Sequence, residues 1–168
     1  VHAWQLLKAL SAVRTQPLDA YVQTAVNDLA GIRHVTGAGV GVMPEPGGAW
    51  KWIWHEGVDA SIKVWCAGEE AVADVLAGRA IYRARGKRVE DEREADGAAF
   101  PIVSCGRVIG CLCVQGGGVF PGALLAIFRV TAEAVGTALS LREAMERHAA
   151  DRAARTDDGP AVPIIIGR

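Results

Sequence analysis

Charge of a single sign is what this sequence most plainly lacks. Its 18 lysine and arginine residues nearly match its 19 aspartate and glutamate residues, leaving a formal net charge of −1 over 168 residues. Neither half is strongly basic, so the electrostatic case for a nucleic-acid-binding or membrane-surface module is missing. Long apolar runs are missing too. No stretch reads as a bilayer span, and no basic-then-apolar segment opens the chain. Cysteine is scarce, four in all, with no spacing that suggests a disulfide framework. Cys111 and Cys113 stand two apart on an expected strand, with Cα atoms about 6.6 Å apart. That is near the outer limit for a bridge, and the parallel side chains are wrongly aimed for one. A cytoplasmic protein with reduced thiols is the expectation. Paired zinc-type cysteines, a Gly-rich phosphate loop and a Ser/His/Asp arrangement are also absent, so no metal site and no enzyme activity are expected.

What is present is a globular composition, 51% apolar and 22% charged, of a length that suits one domain. Residues 3–14 place Ala3, Leu6, Leu7, Leu10 and Val13 at helical spacing. Pro17 interrupts that helix, and a second carries Val22, Ala25, Val26 and Leu29. "TGAGVGVMPE" reads as a strand with Gly37, Gly39 and Gly41 on one face, and "PEPGG" turns it into the next strand. Residues 58–68 are ambiguous. Glu69 and Glu70 open a short helix with Val72, Val75 and Leu76 on one side, ended by Gly78. "RAIYRA" is a brief strand, and Arg83 to Glu94 a charged, solvated loop. A second hairpin turns at Cys105-Gly106. Its apolar second strand alternates Val108, Gly110, Leu112 and Val114 against Ile109, Cys111 and Cys113, a central strand covered on both faces. Pro121 then opens the longest helix, apolar to Met145 and polar after about His148, and "RTDDGPAVP" is a linker by composition. The order of elements is that of an α+β domain on an antiparallel sheet.

The densest chemical signal is "GGAWKWIWHEG", where Trp50, Trp52 and Trp54, three of the chain's five tryptophans, occupy alternate positions. On a strand all three rings project from one face, each burying roughly 200 Å². Such a face does not stay wet. Its cover is either the first and last helices, as core, or a flat ligand stacked on the rings. Lys51, Ile53 and His55 line the opposite face, which makes Lys51 and His55 anion contacts if that side holds the ligand. Cys111 and Cys113 read as small core hydrophobes, while a redox role requires Cys105 or Cys66 to be exposed and reactive.

Three stretches in this order, "AYVQTAVNDLAGIRHVTGAGVGVMPE", "EEAVADVLAGRAIYRA" and "AAFPIVSCGRVIGCLCVQG", resemble a GAF domain over about residues 18–148. The resemblance implies a GAF/PAS-like central antiparallel sheet with N- and C-terminal helices packed on one face and a small-molecule pocket on the other. It places Trp65 and Cys66 at the pocket border, beside the candidate ligand residues Trp50, Trp52, Trp54, Lys51 and His55. The dispersed Asn-Lys, Phe and Asp-Glu signature of cyclic-nucleotide-binding GAF domains is absent. Cys66 is followed by Ala67 rather than the histidine that accompanies a bilin-binding cysteine. The four cysteines do not align with those of GAF-fold methionine sulfoxide reductases. The tail "GPAVPIIIGR" resembles the entry into the AAA+ domain of sigma-54-dependent bacterial transcription activators, and also suits the first strand of an FHA domain.

The expected organisation is therefore an N-terminal helix over 1–17, a sensory domain over 18–148 and a linker over 149–168 leading to a downstream AAA+ domain. The expected function is small-molecule sensing, transmitted through the last helix to a transcription-activator ATPase. A ligand-free dimerisation scaffold, with terminal helices bundled across a two-fold axis, and a thiol-based redox sensor are the alternatives. The expected partners are an unidentified small effector and a second copy of the chain, with no direct nucleic-acid or membrane contact.

Overall fold

A computed structural model describes residues 18–43 and 48–157. The expected helix over 3–14, turn residues 44–47 and the tail from 158 onward lie outside the described residues. Helix α1 (Leu18–Ala30) leads into a hairpin of β1 (Val35–Val42) and β2 (Lys51–Trp54). Two short helices follow, α2 (Ala60–Ala67) and α3 (Glu69–Leu76), then a small hairpin of β3 (Ile81–Ala84) and β4 (Lys87–Val89). A single 3₁₀ turn at Glu92–Glu94 precedes the hairpin of β5 (Gly97–Ser104) and β6 (Arg107–Gly116), and α4 (Gly122–Asp157) closes the fold.

The six strands form one antiparallel sheet in the order β2-β1-β6-β5-β3-β4. Strand β6 lies inside it, as its two apolar faces predict. Leu112 and Val114 enter a core with Val22 and Val26 of α1 and Leu125, Phe128, Ala132 and Val135 of α4. Cys111 and Cys113 enter a second core, with Ile62 and Cys66 of α2 and Ala71 and Val75 of α3. The terminal helices thus share one face, and the two short helices take the other. The β5–β6 turn puts Cys105 and Gly106 both at positive φ, 49° and 76°, the pairing a two-residue hairpin needs for its twist.

Several expectations change. Residues 60–67 are a helix bounded by Asp59 and Gly68; its buried residues are Ile62 and Cys66, too few to mark a period in sequence. Helix α3 buries Ala71, Asp74 and Val75 and leaves Leu76 exposed, so its inward side is rolled away from the expected stripe. That roll is tolerable because Arg79 and Arg88 both pair with the Asp74 carboxylate, the latter at 2.5 Å. The charged loop is partly structured as β4, which pairs locally with β3, and as the 3₁₀ turn, whose Glu92 is held by Tyr82 and Arg129. In β6 the simple alternation fails. The register with β5 shifts between Ile102, opposite Gly110, and Val103, opposite Val108. Ile109 is the extra residue of this bulge and packs against the terminal-helix core, whereas Val108 packs against the other.

Helix α4 runs unbroken to Asp157, beyond His148, where its sequence turns polar. Alanine and arginine in "AADRAAR" favour helix even where no face is buried. By length and composition α4 also meets the criterion for a membrane span, with an 18-residue window of mean hydropathy 1.5, contrary to the expectation that no stretch would. Here 44% of that window is buried inside the fold, through residues that pack on the sheet.

Candidate functional site

The tryptophan alternation of β2 meets the glycine alternation of β1 across the hairpin, with Gly39 opposite Trp54 and Gly41 opposite Trp52. All three rings lie on the α2–α3 face of the sheet, packed against the second core. The expected cover by the terminal helices is not what forms; Ile53, on the other side of β2, packs there instead. Trp50 and Trp52 stack with centroids 5.5 Å apart and planes inclined by 17°. Trp52 and Trp54 stack at 4.7 Å and 11°. The result is a ladder whose ring edges dip into the groove that Gly39 and Gly41 leave open, while Val58 fills the space at Gly37. A Cβ at Gly39 would stand 2.0 Å from Cε3 of Trp54, and one at Gly41 would stand 2.8 Å from Cε3 of Trp52.

Stacking changes what the ladder offers a ligand. Trp52 is faced by Trp50 on one side and Trp54 on the other, so the trio is not a flat wall. Its free faces are the outer sides of Trp50 and Trp54, and Lys63 Nζ already stands 6.0 Å from the Trp54 ring centroid, within cation–π range. All three rings remain half-buried, as does Trp65 on α2, which packs against the same cluster.

The candidate residues therefore divide. Trp50, Trp52, Trp54, Trp65 and Cys66 share one face. Lys51 and His55 alternate with the ladder and stand on the opposite side of β2, so a single ligand on the ladder does not reach them. Lys51 is exposed. His55 Nδ1 accepts the Gly57 N–H at 3.1 Å and closes the turn after the strand.

Sequence reading missed the polar groups at the mouth of α2. Asp59 makes no side-chain cap to its helix; instead Gln115 Nε2 donates to its carboxylate at 2.5 Å, and its own N–H donates to Gln115 Oε1 at 2.9 Å. Arg83 NH2 donates to Ser61 Oγ at 3.2 Å, while its buried Nε has no protein partner. Asp-x-Ser before a short apolar run was the available signal for the helix start, but a partner 56 residues away has no local signature.

Of the thiols, Cys105 is exposed and Cys66, Cys111 and Cys113 are buried. The exposure that a redox role requires is thus met at Cys105 and not at Cys66. Burial, together with the neighbouring thiols of Cys111 and Cys66, pushes the Cys113 pKa well above the ordinary thiol value. Among the described residues no group of three His, Cys, Asp or Glu side chains is arranged to hold a metal ion.

A second polar cluster ties α4 to the sheet edge. Tyr82 Oη donates to Glu92 at 3.0 Å, and Arg129 of α4 donates to Tyr82 Oη at 2.7 Å and pairs with Glu92. The Tyr82 and Arg129 hydrogen bonds hold the Glu92 pKa below its ordinary value.

No family model matches the chain, and no curated relative does either. Solved structures do. The GAF domain of an Acinetobacter phosphoenolpyruvate-protein phosphotransferase superposes with a TM-score of 0.59 at 12% identity, covering 85% of this chain and 95% of that one. The GAF domain of the corresponding Coxiella burnetii protein gives 0.56 at 12% identity, over 88% and 99%. The blue-light-absorbing form of the Thermosynechococcus elongatus PixJ GAF domain gives 0.56 at 14%, over 80% and 91%. At such identities the likeness concerns architecture alone, and in architecture the chain is a GAF-fold domain.

Proposed function

We propose that this chain is a regulatory domain that responds to a small planar effector and passes the response through α4 to a downstream domain. One observation carries the reading. Three aromatic rings and Trp65 are left half-buried on the sheet face opposite the output helix, at a rim flanked by Lys63. A flat ligand that extends the stack at Trp50 or displaces Lys63 from Trp54 gains aromatic contact with little rearrangement. Mechanistically the effector shifts the population of two packings of the sheet against α4. The downstream unit that suits the tail "IIIGR" is the AAA+ domain of a sigma-54-dependent activator, in a cytoplasmic protein, and the reading assigns this domain no catalytic step.

The test is tryptophan emission and melting temperature recorded against a panel of nucleotides, metabolites and aromatic acids. A compound that quenches or shifts the emission and raises the melting temperature supports the reading. Stabilisation without any change in emission places the effector away from the ladder and defeats it.

The dimerisation reading keeps one observation of its own. Val130, Leu141 and Met145 of α4 are 47%, 44% and 43% exposed, on a helix whose other side already serves the core. A second copy of the chain packing along α4 covers them.

A further inference from the structure

Strand β3 belongs to both layers of the fold. Ile81 enters the second core and Tyr82 packs against the first, so Arg83, two residues beyond Ile81, returns to the α2–α3 side. Arg88 stands opposite Arg83 on β4. On that side Arg83 NH2 donates to Ser61 Oγ of α2 at 3.2 Å, and Arg79 and Arg88 clamp Asp74 of α3. On the other side the Tyr82 hydroxyl accepts from Arg129 of α4 at 2.7 Å and donates to Glu92 at 3.0 Å. The Tyr82 ring meets Phe100 edge-on at 6.2 Å, and Phe100 meets Phe128 of α4 at 6.3 Å. Adjacent residues of one strand therefore hold helices on opposite faces of the sheet. The hairpin is free to shift as a piece, because β4, last in the sheet, pairs with β3 alone among the described strands.

We propose that the β3–β4 hairpin is a lever that couples α2 to α4, with Arg83 at its input and Tyr82 at its output. Lys63, which stands beside the Trp54 ring, lies two residues after Ser61 in the eight-residue α2. A ligand that displaces Lys63 shifts so short a helix as one body, and Ser61 moves with it. The buried Nε of Arg83 has no partner among the described residues, so a shift that brings it an acceptor gains a hydrogen bond. Movement of the strand at Arg83 reaches Tyr82 through the peptide bond they share. There the Arg129 and Glu92 side chains are 47% and 41% exposed, and contacts in such surroundings break and re-form at little cost. The linkage rests on the planar-effector reading for its input alone; the coupling itself belongs to the unliganded chain.

The experiment measures amide hydrogen exchange in the chain without any ligand, with β6 as the internal reference for global stability. Arg129→Met, on α4, is expected to speed exchange across Ala60–Ala67 at least about twofold relative to β6, the low end for residues along a coupling network. Tyr82→Phe, which keeps the ring contacts and removes only the hydroxyl, is expected to do the same. Glu133→Gln, exposed on the same helix, leaves α2 unchanged. In an Arg83→Met background, verified as folded by circular dichroism, the effect of Arg129→Met on α2 is expected to vanish. Exchange in α2 that merely follows β6 in the Arg129 and Tyr82 variants overturns the lever, as does an undiminished Arg129 effect in the Arg83→Met background. Because no effector is added, a ligand panel that finds none defeats the effector reading and leaves the lever standing.

Discussion

At the residue scale the hairpin β1–β2 is a match between absence and presence. Glycines supply the groove and tryptophans fill it, and neither alternation is stable without the other. Gly39→Ala is the sharpest test, since its Cβ would fall within the Trp54 ring. It should cost roughly 1–3 kcal/mol, read as a lower urea midpoint with unchanged slope, and should abolish the near-ultraviolet dichroism of the stack. Ionisable residues give a second test. Hydrogen bonding from Arg79 chiefly, and then Arg88, lowers the folded pKa of Asp74, and Tyr82 with Arg129 lowers that of Glu92. Each carboxylate therefore adds stability that is fully present above the unfolded value near pH 4. That stability is lost as pH falls through the lower folded pKa. Melting temperatures from pH 7 down to 3 should fall less steeply at the acid end for Asp74→Asn than for the parent chain. Equal acid slopes would mean the Asp74 pairs contribute nothing to folding.

At the element scale α4 is two helices in function. Its first half lies so close to β5 that a Cβ at Gly136 would stand 2.2 Å from the Val103 carbonyl oxygen. Backbone cannot yield as a side-chain tip can, so Gly136→Ala should force α4 off the sheet and cost at least as much as an overpacked core, roughly 1–3 kcal/mol. Hydrogen exchange in α4 and β5 should accelerate together. The second half behaves differently. From residue 141 to 155 every side chain but Arg142 is exposed, so a chain ending at Ser140 should lose less than about 0.5 kcal/mol of stability. A thermal melt of the shortened chain checks this, and a large drop would show that the distal helix supports the domain. The two short helices α2 and α3 are held mainly by the second core, which makes them the elements most readily lifted.

At the scale of the whole molecule the sheet separates two layers, a thin one over the ladder and thiols and a thick one ending in a projecting helix. If that helix pairs with a second copy of the chain, Leu141→Glu with Met145→Glu should convert dimer to monomer in sedimentation while leaving the melting curve of the domain in place. A monomeric parent chain would remove the dimer reading and leave effector response alone.

Much of this architecture was readable from local pattern because local physics produces it. Helical spacing around Val22 and Val26, the double-sided apolar strand at Leu112 and Cys113, and the turn at Cys105-Gly106 each announce their element through residues close in sequence. The glycine and tryptophan alternations were equally visible, and a hairpin between them was expected. What they did to one another was not, because side-chain period fixes which residues share a face but not which layer covers it. Tertiary packing decided that the ladder faces α2 rather than the terminal helices, and that the opposite side of β2, with Ile53, meets the terminal-helix core. It also drew Cys66 into one core with Cys111 and Cys113, bulged Ile109 out of register and gave Asp74 two arginines. Each of these depends on partners outside the element itself or on a shift of one residue, and neither leaves a periodic trace.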